Sequence, residues 1–93
     1  PGVGRDLSFF VERNVSAAAL LASVRAAGGP HLHDVALFDV YEGKGVPEGQ
    51  RSIAVTISFR APDRTLKDEE VDRSFGEIMS ALTATHSAHI RKA

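Results

Sequence analysis

Apolar and polar positions alternate in three stretches of the chain and repeat with a helical period in two others. Residues 6–12, DLSFFVE, place Leu7, Phe9 and Val11 on one face and Ser8 and Phe10 on the other, which predicts a strand. Ser16 follows as a good helix N-cap, and the alanine- and leucine-rich run behind it has high helix propensity. Leu20, Leu21, Val24 and Ala27 form its apolar stripe, and Gly28, Gly29 and Pro30 stop it, so a helix is predicted over 16–28. A second strand is expected over 34–41, with Phe38 and Val40 toward the core and Leu37, Asp39 and Tyr41 on the opposite face. The segment EGKGVPEGQR reads as a loop. In the third strand, 52–60, Ile53, Val55, Ile57 and Phe59 share one face, and Ser52, Ala54, Thr56, Ser58 and Arg60 share the other. A second helix is predicted over 67–84. Its first turn holds Asp68, Glu69 and Glu70, and its stripe is Val71, Phe75, Ile78, Met79 and Leu82. The tail, HSAHIRKA, is a candidate fourth strand.

The resulting order, β-α-β-β-α-β, is that of an α+β, ferredoxin-like split βαβ fold. Two helices would cover one face of a four-stranded antiparallel sheet of order 4-1-3-2 and leave the other face open. If Tyr41 lies opposite Ser52, then Asp39 faces Ala54 and Leu37 faces Thr56. Val40 would then meet Ile53, and Phe38 would meet Val55, inside. This register buries every large apolar residue of the third strand. It gathers Tyr41, Asp39, Ser52, Ala54, Thr56 and Ser58 outside, with Phe10 adding apolar surface.

Composition narrows the possibilities. With 93 residues, 43% hydrophobic and 25% charged, the chain suits one small globular domain spanning 1–93. It begins Pro1-Gly2-Val3-Gly4, which suggests a piece of a longer or processed protein. No cysteine is present, which excludes disulfide and thiolate chemistry and fits a reducing compartment. No apolar run approaches the roughly 20 residues that span a bilayer, so no membrane partner is expected. The formal net charge of -1 is far from the strongly basic balance of a free-standing nucleic-acid binder. Tight unaided binding is therefore not expected, although a few bases could be read if other parts hold the backbone.

The open face carries the candidate chemistry. Single-stranded RNA is read by aromatic stacking together with hydrogen bonds to base edges. Asp39 can accept from a guanine or cytosine edge, Ser52 can donate or accept, and Tyr41 offers a ring. The same alternation is equally that of an ordinary solvated sheet face, and the pattern by itself leaves both readings open.

Several stretches resemble one family. RDLSFFV (5–11), AAGG (26–29), LFDVYEGKGVPEGQRSIAVTISFRAPDRTL (37–66) and DEEV (68–71) are similar to the ferredoxin-fold anticodon-binding domain that closes the β subunit of bacterial phenylalanine–tRNA ligase. The resemblance implies recognition of the phenylalanine tRNA anticodon, whose first base is guanine. The family's anticodon contacts map onto Asp39, Tyr41 and Ser52: Asp39 and Ser52 for hydrogen bonds to the guanine edge, Tyr41 for stacking. Ser8 and Ala54 would allow close backbone approach. Arg5, Arg60 and Arg64 are candidate phosphate contacts, although Arg64 could instead pair with Asp68 or Glu69. The resemblance further implies a cytoplasmic parent enzyme that uses ATP and magnesium. Its partners would be the remainder of the β subunit and the α subunit of a heterotetramer. No cofactor and no catalytic residue are expected in the domain itself. Two departures stand out: Gly4-Arg5 replaces the usual RRDL entry, and THSAHIRKA replaces an ending of the type G-A-x-L-R.

Other signals point nowhere specific. His31 with His33, and His86 with His89, lack the cysteine or carboxylate company of a zinc site and read as solvent-exposed. GKGVPEG joins two strands, whereas a phosphate-binding P-loop leads into a helix. The two alternatives to RNA recognition are a ferredoxin-like regulatory or protein-interaction module and an acylphosphatase-like enzyme. For the latter, Asn14 and Arg5 are the only loose candidates, and fold alone does not confer activity.

Overall fold

In the computed structural model, which describes residues 2–91, six elements follow in the expected order. They are β1 (Val3–Glu12), α1 (Ala17–Ala27), β2 (Leu32–Tyr41), β3 (Gln50–Phe59), α2 (Asp68–His86) and β4 (His89–Arg91). The strands form one antiparallel sheet of order β2-β3-β1-β4, as a ferredoxin-like fold requires. The last two residues of the tail lie outside the described residues.

The core lies between the sheet and the helices. Leu7, Phe9 and Val11 of β1 and Ile53, Val55, Ile57 and Phe59 of β3 are buried against Leu20 and Val24 of α1 and Val71, Ile78 and Leu82 of α2. Both helices therefore cover one face. Local chemistry starts and stops them. The Ser16 hydroxyl accepts from the Ala19 N–H at 3.1 Å. Glu70 reaches back to accept from the Lys67 N–H at 2.9 Å. α2 ends at Ser87, which adopts a left-handed conformation (φ 54°, ψ 33°). There the Ser87 N–H donates to the Thr83 carbonyl at 3.0 Å and the Ala88 N–H to the Leu82 carbonyl at 3.3 Å. This reversal feeds β4 into the sheet beside β1.

The second strand departs from expectation. Tyr41 lies opposite Ser52, Val40 opposite Ile53 and Asp39 opposite Ala54, as the pattern predicted. A bulge then intervenes, and Leu37, not Phe38, lies opposite Val55, while Ala36 faces Thr56. One extra residue on the bulged strand inverts the alternation behind it. Val35 and Leu37 therefore turn to the core, and Phe38 is 58% exposed. The placement of Phe38 in the core and of Leu37 on the open face is thus corrected. Val40 keeps its inward parity but is 45% exposed, because β2 is the edge strand and the helices centre on β1 and β3. A second irregularity, between Leu32 and Asp34, leaves His33 as the extra residue there.

Candidate nucleic-acid interface

The face opposite the helices is built from two rows that cross all four strands. In one row His89, Phe10, Ser52 and Tyr41 are successive cross-strand partners. In the next, Arg91, Ser8, Ala54 and Asp39 are. Neighbouring strands lie about 4.8 Å apart, so the Phe10 and Tyr41 backbones stand roughly 10 Å apart with Ser52 between them. Ser8 and Ala54 form a low floor beside that gap, and Asp39 stands at its β2 edge. Of the eight residues singled out from sequence, five meet here: Asp39, Tyr41, Ser52, Ser8 and Ala54.

The surroundings hold these side chains in place. The Tyr41 hydroxyl donates to the Lys44 carbonyl at 3.1 Å, which ties the ring to the β2–β3 loop. Arg13 clamps the same end of the sheet: its guanidinium pairs with Glu42 at 2.8 Å, and its N–H donates to the Gly49 carbonyl at 3.0 Å. One row further along, the Thr56 hydroxyl donates to Asp6 at 2.8 Å.

The three arginines lie elsewhere. Arg5 has the parity of Leu7 and turns to the helix side, where it meets Asp72 of α2 at 3.6 Å. Arg60 lies beyond the far end of β3, eight residues from Ser52, or roughly 26 Å along an extended strand. Its N–H donates to the His31 carbonyl at 2.8 Å. Arg64 makes a two-pronged pair with Glu70, both contacts at 2.8 Å. The acid is therefore Glu70 and not Asp68 or Glu69, because Glu70 alone also caps the start of α2. Hydrogen bonding to Arg64, then to the Lys67 N–H, lowers the Glu70 carboxyl to about 2. The same partner raises Arg64.

β4 supplies what the sequence reading left out. The His89 ring stacks on Phe10 with centroids 6.2 Å apart and planes within 11°. The Arg91 guanidinium lies 4.8 Å from the Phe10 ring centre. The signal was present in Ser87-Ala88-His89-Ile90-Arg91, which keeps the spacing of G-A-x-L-R with serine in place of glycine. His86 is not solvent-exposed as expected: it is half-buried and bonded to Ser23 at 2.8 Å, linking the two helices. Among the described residues, no group of three or more His, Cys, Asp or Glu side chains is arranged to hold a metal ion. No described helix is long and apolar enough to cross a membrane.

A family model described as the ferredoxin-fold anticodon binding domain matches residues 1–91. The chain belongs to this family. Similar curated proteins include the phenylalanine–tRNA ligase beta subunit of Syntrophotalea carbinolica, 41% identical over 98% of this chain and 11% of that protein. Those of Moorella thermoacetica (45% identical, 99% of this chain, 12% of the other) and Synechococcus sp. strain JA-3-3Ab (45%, 88% and 10%) are similar too. The chain thus spans about a tenth of the length of these relatives.

Proposed function

We propose that this chain is the anticodon-reading domain of a phenylalanine–tRNA ligase β subunit, and that it reads the phenylalanine tRNA anticodon on the open sheet face. The single observation that carries the reading is the cluster of Asp39, Tyr41 and Ser52 around a small-residue floor. The family match and the names of the relatives support it. Guanine's Watson–Crick edge presents N–H donors, and Asp39 is an acceptor whose own row holds no charged donor except distant Arg91. Ser52 can complete the pairing from the adjacent strand, and Tyr41 can stack on the base. Ser8 and Ala54 let the nucleotide approach the backbone.

Charge assigns a division of labour. With a net charge of -1, this domain supplies little of the phosphate attraction that dominates affinity. The rest of the β subunit and the α subunit would hold the tRNA and, with ATP and magnesium, perform aminoacylation. The domain would contribute discrimination. The test is aminoacylation by the complete ligase carrying this domain, with wild-type tRNA and with tRNA altered at the first anticodon base. Asp39→Ala should shrink the preference for guanine. An unchanged preference in Asp39→Ala, Tyr41→Ala and Ser52→Ala, with the domain still folded, would reduce the platform to a solvated sheet face.

A further inference from the structure

The geometry points to the Gly43-Lys44-Gly45 turn as a positioning device that fixes the Tyr41 ring before a base arrives. This rests on the reading of the sheet face as the anticodon reader and names the residues that set its aromatic member.

Tyr41 ends β2, the edge strand, and is 46% exposed. Its cross-strand neighbour, Ser52, is small. The sheet alone would therefore leave the ring free to change rotamer, and a base would have to order it on binding. The β2–β3 loop supplies what the sheet lacks. The Val46 N–H donates to the Gly43 carbonyl at 3.0 Å, which closes a four-residue turn over 43–46. Gly45, third in that turn, has φ 92°. Lys44, second, has a negative φ, since Ser87 alone is positive among the described non-glycine residues. That sign pattern is a type II turn, whose third position calls for glycine. Its central peptide is flipped relative to a type I turn, so the turn type decides where the Lys44 carbonyl points. The carbonyl meets the Tyr41 hydroxyl, which donates to it at 3.1 Å. Gly43, with φ 132°, lies against the same end of the ring: a Cβ there would stand 3.2 Å from the Tyr41 Oη and 3.5 Å from Cζ. Both glycines thus serve one ring, Gly45 by aiming a carbonyl and Gly43 by leaving room. Because the hydroxyl is committed to the loop, the ring face is what remains for a ligand, and reading the base edge falls to Asp39 and Ser52. The Arg13–Glu42 pair braces the loop, but both side chains are largely exposed, so salt would weaken it. The lock itself is the bond from the hydroxyl to the main chain.

The experiment measures KM and kcat for phenylalanine tRNA in aminoacylation by the complete ligase carrying this domain. Tyr41→Phe keeps the stacking ring and removes its bond to Lys44. Gly45→Ala keeps the ring and hydroxyl but disfavours the turn that aims the carbonyl. Each should raise KM about two- to tenfold, the penalty for ordering one side chain on binding, with kcat unchanged. Gly43→Ala should do the same by crowding the hydroxyl. Tyr41→Phe and Gly45→Ala combined should raise KM no further than either alone, because both release the same ring. Gly28→Ala, which strains the C-terminal end of α1, should leave KM unchanged. A similar rise in Gly28→Ala, or a Gly45→Ala effect just as large in the Tyr41→Phe background, would show that the turn acts through stability and would overturn the proposal. A rise in Tyr41→Phe with none in Gly45→Ala or Gly43→Ala would place the hydroxyl on the tRNA instead, and would overturn it too. If Tyr41→Ala raises KM while Tyr41→Phe, Gly43→Ala and Gly45→Ala do not, the lock is refuted and the reader stands. If Asp39→Ala, Tyr41→Ala and Ser52→Ala all leave KM and the guanine preference unchanged, the reader falls, and the lock with it.

Discussion

Replacing Ser87 with glycine should stabilise the domain, and the reason lies in one dihedral angle. Ser87 is the only non-glycine residue with positive φ among the described residues, at 54°. An L side chain in the left-handed region costs about 1–2 kcal/mol, because its Cβ crowds the neighbouring carbonyl. Glycine removes that cost but loses more freedom on folding, about 0.5–1 kcal/mol. The difference is a gain of up to about 1.5 kcal/mol. For a domain of this size, 1 kcal/mol moves Tm by about 4–8 °C, so Ser87→Gly should raise Tm by up to roughly 12 °C. Ser87→Val should lower it, since a β-branched residue is a genuine outlier there. Calorimetry on the wild-type chain and both variants is the assay. A fall in Tm for Ser87→Gly, or a neutral Ser87→Val, would show that the cap is not left-handed. The turn that brings His89 alongside Phe10 would then lack its anchor.

Four further substitutions probe the rest of the frame. Gly28→Ala gains about 0.5–1 kcal/mol of helix preference, but its Cβ would lie 2.5 Å from Leu32 Cδ2 and 2.8 Å from Leu32 Cβ. Overpacking of that kind costs about 1–3 kcal/mol, so denaturant unfolding should show a net loss. Phe38→Ser, at the exposed bulge, should change stability by no more than about 0.5 kcal/mol. Phe9→Ala, in the core, should cost about 3–5 kcal/mol in the same assay. Glu70 has a depressed carboxyl, at about 2, so its contribution is present above its ordinary value of 4.5 and is lost as pH falls from there toward 2. Glu70→Gln should flatten unfolding stability against pH in that window and leave the neutral range without added slope.

The legible parts of this molecule were those governed by strict alternation flanked by clear punctuation. In β3, Ile53, Val55, Ile57 and Phe59 leave one choice of buried face, and β1 copies it with Leu7, Phe9 and Val11. Together they define the register that gathers Asp39, Tyr41 and Ser52. β2 failed halfway because alternation cannot register an inserted residue. The consecutive apolar pair Leu37-Phe38 left open which of the two faces the core. β4 was illegible as a partner for the platform because it is three residues long, too short for periodicity to show. The surroundings of the arginines were hidden for a different reason. Parity places Arg5 with Leu7 on the helix side, but a charge at the start of a strand gives no hint of what lies across from it. Arg64 had three acids within reach, and the choice of Glu70 depends on the geometry of the α2 cap.

The most direct measurement of the central claim is a photocrosslink from the first anticodon base. Phenylalanine tRNA carrying 6-thioguanosine at that position would be bound to the complete ligase and irradiated, and the attached peptide identified by mass spectrometry. Attachment is expected within β2 at 39–41 or within β3 at 52–54, weakened by Tyr41→Ala. Attachment to the helix side, at α1 or α2, or to no part of this domain while the enzyme still charges the tRNA, would contradict it.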